Sequence, residues 1–205
     1  TEVNTPPSLP AQTNRTIAEL TALVVTNTAT DGDSPANLLS YSLLNPPAGA
    51  SINSSGVFSW TPAENQGPST NVITTVALDN GTPALSATNS FTVVVQEINI
   101  APVLPPQTNR LSSGLAAIAV TNTATDSDLP VNALTYQLLA APANAVISTN
   151  GVISWTPSIG QVPGTNTITT VVTDTNEWAV NTQSLSTTNT FTITVNAVHN
   201  GPTLP

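Results

Sequence analysis

The fold of this protein is decided by a stretch that occurs twice: LPAQTNRTIAELTALVVTNTATDGD at residues 9–33 and LPPQTNRLSSGLAAIAVTNTATDSD at residues 104–128. The two copies lie 95 residues apart. The same spacing relates the S-W-T-P motifs at 59–62 and 154–157. A constant period along a chain indicates tandem copies of one structural unit.

The linker sequences repeat as well: TEVNTPPSLP at 1–10, QEINIAPVLP at 96–105 and NAVHNGPTLP at 196–205. We therefore expect two repeats, at 1–101 and 102–205, with the start of a further linker at the end of the second. Such a pattern is typical of a segment of a longer exported array, or of one period of a polymer.

Each repeat contains short runs of β-forming residues separated by turn residues, and no stretch has helical periodicity. Alternation predicts that two sets of residues face a core: Phe91, Val93 and Val95, and Phe191, Ile193 and Val195. Further strands are predicted at Leu23–Thr28, Leu39–Leu44, Val57–Trp60 and Val72–Leu78, with equivalents in the second repeat. The expected class is all-β, with one β-sandwich per repeat and a short Pro-rich linker between them.

The composition excludes several classes of function. The chain has 205 residues, 2 basic and 11 acidic, for a net charge of −9. Two arginines cannot build a surface for nucleic acid or anionic lipid, so no nucleic-acid partner is expected. No apolar run has the length of a membrane span, so no membrane insertion is expected. With no cysteine and one histidine, the chain lacks most catalytic constellations, and we expect no enzyme.

The acidic residues recur at matched positions. Asp31 and Asp33 form a D-x-D pair, as do Asp126 and Asp128, and one further Asp follows a predicted strand in each repeat. Around them stand ATDGD at 29–33 and VALDNGTPALSATNSFTVVVQEINIAP at 76–102. Together these motifs resemble cadherin-type repeats. The S-W-T-P motif is similar to that of bacterial putative-immunoglobulin repeats, which are dystroglycan-type and cadherin-like.

This resemblance implies two tandem immunoglobulin-like, Greek-key β-sandwiches with calcium between successive repeats. The residues carried over to the central joint are Glu19, Glu64, Glu97, Asn99, Asp126, Asp128 and Asp174. The residues carried over to the start of the first repeat are Glu2, Asn4, Asp31, Asp33 and Asp79. Calcium takes six to eight oxygen ligands, so the central set would suffice for about two ions.

The second repeat lacks the acids that would lead into a following joint. At the positions of Glu19, Glu64, Glu97 and Asn99 it has, in that order, Gly114, Ile159, Ala197 and His199. This grouped loss predicts that calcium-bound and metal-free joints alternate. The competing interpretation is that the acids only cap turns.

The tryptophans carry a second set of expectations. Trp60 and Trp155 occupy matched positions and are expected in the cores, whereas Trp178 lies in a five-residue insertion without a counterpart in the first repeat. Trp178 is either a ligand or subunit contact or a local packing residue, and His199 is expected to be a solvated linker residue.

The sequence therefore predicts a non-enzymatic structural or adhesive segment of an extracellular surface protein or filament, stiffened by calcium. Its partners would be neighbouring repeats or copies of itself. Surface glycans or proteins are further candidate partners. The alternatives are a homopolymeric extracellular filament subunit, or a glycan-binding adhesin module.

Overall fold

A computed structural model of the chain describes residues 3–197. The contacts divide it into two compact units. The first contains the residues up to Ile98 together with Trp178–Val180, and the second contains Asn99–Glu177 and the residues from Asn181 onward. The repeat boundary expected between residues 101 and 102 stays a prediction. Glu2 and His199 lie outside the described residues.

The first unit is a sandwich of a four-stranded and a three-stranded sheet. Its strands are β1 (Arg15–Ala18), β2 (Leu23–Thr26), β3 (Ser40–Leu44), β4 (Ser51–Ile52), β5 (Val57–Trp60), β6 (Ser69–Leu78) and β7 (Ser86–Gln96). The sheet orders are β1-β7-β6-β3 and β2-β5-β4, and a 3₁₀ turn at Glu64–Gln66 follows β5. The first strand pairs with β7 in parallel, while the other pairings are antiparallel.

The second unit repeats this arrangement. Its strands are β8 (Arg110–Ser113), β9 (Ile118–Thr121), β10 (Thr135–Ala140), β11 (Val146–Ile147), β12 (Val152–Trp155), β13 (Gly164–Thr173) and β14 (Ser186–Asn196). The sheet orders are β10-β13-β14-β8 and β11-β12-β9, with a 3₁₀ turn at Ile159–Gln161. The expected all-β class and the tandem sandwiches are confirmed.

The alternation read from the sequence places the core correctly. Phe91, Val93 and Val95 are buried against Phe58 and Trp60 in the first unit. Phe191, Ile193 and Val195 fill the matching core of the second unit, together with Trp155. Trp60 and Trp155 are each only 2% exposed, so their expected place in the cores is confirmed.

Each unit's single arginine packs on an aromatic ring. Arg15 lies 5.9 Å from the ring centre of Phe91, and Arg110 lies 5.2 Å from that of Phe191. Such contacts combine cation–π attraction with burial of the side-chain stem. The described part of the chain contains no helix with the length and apolar character needed to cross a bilayer.

Candidate metal centres

Three glutamates converge in the first unit. Glu19 follows β1, Glu64 begins the 3₁₀ turn after β5, and Glu97 follows β7. Each offers a carboxylate oxygen within 4.8 Å of those of the other two. Glu19 and Glu97 are fully buried, and Glu64 is half-buried. We call these three residues the glutamate cluster.

The glutamate cluster holds negative charge away from water. The Ile98 N–H donates to Glu19 Oε1 at 3.0 Å, but no described residue donates a hydrogen bond to the buried Glu19 Oε2. Burial raises the pKa of Glu19 to about 7, and the charges of Glu64 and Glu97 add to the rise, against the Ile98 hydrogen bond. These groups are therefore arranged so that a cation would stabilise the ionised form.

Gly67 lies directly against the glutamate cluster. A Cβ atom at this position would clash with the Glu19 carboxylate and would lie 3.2 Å from Glu97 Oε2. A larger residue here would require the Glu19 carboxylate to move. Gly67 is not among the residues predicted from the sequence, because nothing in the local pattern distinguishes it from a turn glycine.

Three aspartates converge in the second unit. Asp126 and Asp128 follow β9, Asp174 follows β13, and each offers an oxygen within 4.8 Å of those of the other two. The Tyr136 hydroxyl accepts a hydrogen bond from the Ala124 N–H at 2.9 Å, which fixes the start of the Asp126 loop. We call these three residues the aspartate cluster.

The aspartate cluster is also short of donors. Asp126 Oδ1 accepts from the Asp128 N–H at 2.9 Å, and Asp174 Oδ1 accepts from the Leu185 N–H at 2.7 Å. Asp126 Oδ2 and Asp174 Oδ2 are buried, and neither accepts a hydrogen bond within residues 3–197. Burial raises the pKa of Asp126, and the charges of Asp128 and Asp174 act in the same direction, against hydrogen bonds from the backbone.

Amide side chains complete the aspartate cluster. Asn99 Nδ2 donates to Asp174 Oδ1 at 2.8 Å, and Asn132 Nδ2 donates to Asp128 Oδ2 at 2.7 Å. Asn99 was expected at the site from the resemblance, whereas Asn132 was not. Asn37 and Asn132 are 95 residues apart, the same spacing that relates the matched acids. This spacing is the signal that would have identified Asn132.

The first unit has a related set at Asn4, Asp31, Asp33 and Asp79. Asn4 Nδ2 donates to Asp79 Oδ2 at 3.1 Å, and Asn37 Nδ2 donates to Asn4 Oδ1 at 2.6 Å. Asp31 Oδ2 is buried without a donor in the described part of the chain. However, Asp31, Asp33 and Asp79 do not form a third group of mutually close acids among the described residues.

The pKa of Asp79 is displaced in the opposite direction from that of Glu19. Burial favours its neutral form, but hydrogen bonds from the backbone of Leu85 and Gly81 and from Asn4 outweigh it and hold the pKa of Asp79 below its ordinary value. This carboxylate is already stabilised by donors, so it needs a cation less than Glu19 does.

Up to residue 197, the second unit carries no counterpart of the glutamate cluster. Gly114 follows β8 as Glu19 follows β1, and Ile159 begins its 3₁₀ turn as Glu64 does in the first unit. Ile159 is 81% exposed, and Ala197 is exposed at the position that corresponds to Glu97. Three uncharged residues thus stand where the first unit has three acids.

Comparison with known proteins agrees with this architecture. Residues 2–96 match the model of a family described as "Putative Ig domain". No curated protein sequence matches the chain. Among solved structures, mouse cadherin-23 EC22–24 matches with a TM-score of 0.54 and 22% identity, over 94% of this chain and 67% of that one.

Two further structures give similar values. Human CDH23 EC21–23 matches with a TM-score of 0.52 and 21% identity, over 92% of this chain and 63% of that one. Protocadherin Gamma B2 extracellular cadherin domains 1–5 match with a TM-score of 0.55 and 15% identity, over 97% of this chain and 42% of that one. These likenesses establish the fold, and the resemblance to cadherin-like, Ig-like repeats is confirmed.

Proposed function

We propose that this chain, which is built of two cadherin-like, Ig-like repeats, is a non-enzymatic structural and adhesive segment of an extracellular surface protein or filament, and that calcium stiffens the joint between its repeats. The observation that carries the proposal is the pair of three-carboxylate clusters. Each cluster contains buried carboxylate oxygens without a hydrogen-bond donor in the described chain.

A buried charge needs a partner, because transfer of a carboxylate out of water without one costs several kcal/mol. Neither cluster has a basic side chain to supply it, since the chain's two arginines pack on Phe91 and Phe191. A bound cation would meet this need at both clusters. Without the cation, the ionised carboxylates of each cluster would repel one another.

The donor set favours calcium among the common cations. The cluster side chains offer carboxylate oxygens only, and Asn99 adds an amide oxygen. Hard cations prefer oxygen donors, and calcium accepts flexible arrangements of six to eight of them. Zinc and copper sites ordinarily include imidazole or thiolate, and neither cluster contains histidine or cysteine.

The linker connects the two clusters in sequence. Glu97 belongs to the glutamate cluster, and Asn99 donates to Asp174 of the aspartate cluster. Only Ile98 separates these two residues, so their Cα atoms can be at most about 7 Å apart. On the resemblance to cadherin-type repeats, the residues that would hold calcium at the joint are Glu19, Glu64, Glu97, Asn99, Asp126, Asp128 and Asp174.

Calcium at such a joint would neutralise the clustered carboxylates and restrict the linker, so that a chain of repeats behaves as a rod. A hundredfold excess of calcium over its dissociation constant would add about 2.7 kcal/mol of stability per site. The joint after the second repeat would stay metal-free, because Gly114, Ile159 and Ala197 replace the glutamates.

The set at Asn4, Asp31, Asp33 and Asp79 favours a second candidate function, that of a homopolymeric filament subunit. Asp31 Oδ2 is buried without a donor in the described chain, so this set too would be completed by a cation. The remaining ligands would come from a neighbouring segment, in the same chain or in a second copy. Glu2 is part of this proposal on sequence grounds alone.

Calorimetric titration with calcium, with thermal unfolding in calcium and in chelator, tests the main proposal. We expect saturable binding and a clear rise in Tm. The double substitution Asp126→Asn, Asp128→Asn should abolish the calcium response of the central joint. It should also raise the Tm in chelator, because it removes charge repulsion while the side chains keep nearly the same shape. Glu177→Gln removes one exposed charge outside both clusters and should change neither calcium binding nor the rise in Tm with calcium.

Absence of calcium binding to the unaltered chain would overturn the proposal, and the acids would then be turn formers only. An unchanged calcium response in the double variant would place the ligands elsewhere. A rise in Tm in chelator without loss of calcium binding would show repulsion between the acids without a metal role.

A further inference from the structure

The first unit contains a cavity beside β6 and β7. Its volume is about 320 Å³, and its lining includes Thr70, Val94, Gln96, Glu97, Trp178 and Val180. Trp178 and Val180 come from the five-residue insertion, and they group with the first unit by their contacts. A volume near 300 Å³ is at the lower end for ligand sites, which suits one or two sugar rings rather than a helix.

Trp178 is the aromatic residue of this cavity. It is 63% exposed, whereas Trp60 and Trp155 are each 2% exposed. The backbone beside it is fixed, because Ala179 forms a parallel bridge with Glu97 and the Val180 N–H donates to the Glu97 carbonyl at 3.0 Å. A tryptophan exposed on an ordered backbone presents a large apolar face at little further cost in conformational entropy.

Two polar side chains lie at the same cavity. Thr70 pairs with Val94 across β6 and β7, and Gln96 lies two residues beyond Val94 on the same face of β7. The side chains of Thr70 and Gln96 form no hydrogen bond with other residues in the described range. They therefore offer a hydroxyl and an amide to a ligand within reach of the indole.

The charge of the chain restricts what can bind. The net charge is −9, and both arginines pack on phenylalanine rings outside this cavity. An anionic sugar would meet repulsion without a compensating cation. A neutral sugar ring instead has an apolar face for the indole and hydroxyl groups for Thr70 and Gln96.

From these observations we infer that the Trp178 cavity binds an uncharged sugar residue of a glycan, stacked on the indole and hydrogen-bonded by Thr70 and Gln96. Glu97 of the glutamate cluster also lines this cavity, so the site adjoins the proposed calcium site, but its binding groups are the indole, the Thr70 hydroxyl and the Gln96 amide and not a carboxylate.

The test follows the indole N–H signal of Trp178 by NMR while neutral tetrasaccharides are added. The probes are β-1,4-linked tetramers of glucose, mannose, xylose and N-acetylglucosamine, with tetragalacturonate as the acidic comparison. We expect at least one neutral tetramer to shift the Trp178 signal in a saturable way, and the acidic tetramer to leave it unchanged.

Variants separate stacking from folding. Trp178→Ala lacks the NMR signal, so its binding is measured by calorimetric titration. It should bind about tenfold more weakly or worse, a loss of at least about 1.4 kcal/mol, because aromatic residues at the centre of a binding site carry much of the affinity. Trp178→Phe should retain part of the affinity, and the double variant Thr70→Val, Gln96→Leu should lose hydrogen bonding at similar side-chain volume. All three should keep the calcium response of the unaltered chain, which makes failure here distinguishable from failure of the calcium proposal.

Three results would overturn the inference. The first is the absence of a shift with every neutral tetramer at millimolar concentration, and the second is equal binding by the Trp178→Ala variant. The third is a concentration-dependent dimer that Trp178→Ala abolishes while no tetramer binds, which would assign the surface to a second copy of the chain.

Discussion

Calcium binding at the glutamate cluster should release protons near neutral pH. Burial and the neighbouring acids raise the pKa of Glu19 to about 7 from an ordinary value of 4.5. A carboxyl must be ionised to bind a metal, so the proton that Glu19 holds in the metal-free protein has to leave. From this pKa we expect release of about 0.9 proton at pH 6, about 0.5 at pH 7 and about 0.1 at pH 8.

Calorimetry in two buffers with different enthalpies of ionisation measures this number directly, because the difference in observed enthalpy is proportional to the protons released. The raised pKa of Asp126 adds protons in the same direction. The variant Glu19→Gln isolates the contribution of Glu19, and Glu177→Gln serves as the charge-matched control. Buffer-independent enthalpies at pH 6 and 7 in a chain that binds calcium would refute the reasoning, and so would an unchanged proton count in Glu19→Gln.

The other two predictions concern stability and the approach of the backbone to the glutamate cluster. In chelator, the free energy of unfolding should fall as pH rises from about 4.5 to about 7, because Glu19 binds its proton more tightly in the folded chain than in the unfolded chain. Saturating calcium should remove this fall. A denaturant titration at each pH measures both effects. Gly67→Ala should weaken calcium binding, because its Cβ would clash with the Glu19 carboxylate, whereas Gly160→Ala, whose Cβ meets no atom within 4 Å, should bind calcium normally in the same calorimetric titration.

Most of the strands could be predicted from the sequence. The alternation around Phe91 and Phe191 identified the long strands β7 and β14, although the expected β6 began at Val72 and the structure starts it at Ser69. The short strands β1 and β4 were not predicted. Strand β1 exists because it pairs with β7, more than 70 residues along the chain, and four residues alone carry too little pattern to reveal this.

The candidate site was predictable only in part. The resemblance supplied the acids and Asn99, and the structure brings Glu19, Glu64 and Glu97 together in one unit and Asp126, Asp128 and Asp174 together in the other. It supplied neither Gly67, because a glycine beside a carboxylate leaves no local signature, nor Asn132, whose only signal is the 95-residue spacing from Asn37. The assignment of calcium to these residues stays a prediction.

From the sequence alone we could predict the two repeats, the all-β class, the matched positions of the acids and their loss from the second repeat. The repeat period and the positions of the charged residues are properties of the sequence itself. Only the tertiary structure decided which acids meet, how deeply they are buried and that Trp178 stays exposed. Local alternation predicts which face of a strand a side chain occupies. The distance between two carboxylates depends instead on the loops that bring distant strand ends together. The raised pKa of Glu19 arises at that second level, from the burial and the neighbours that folding imposes.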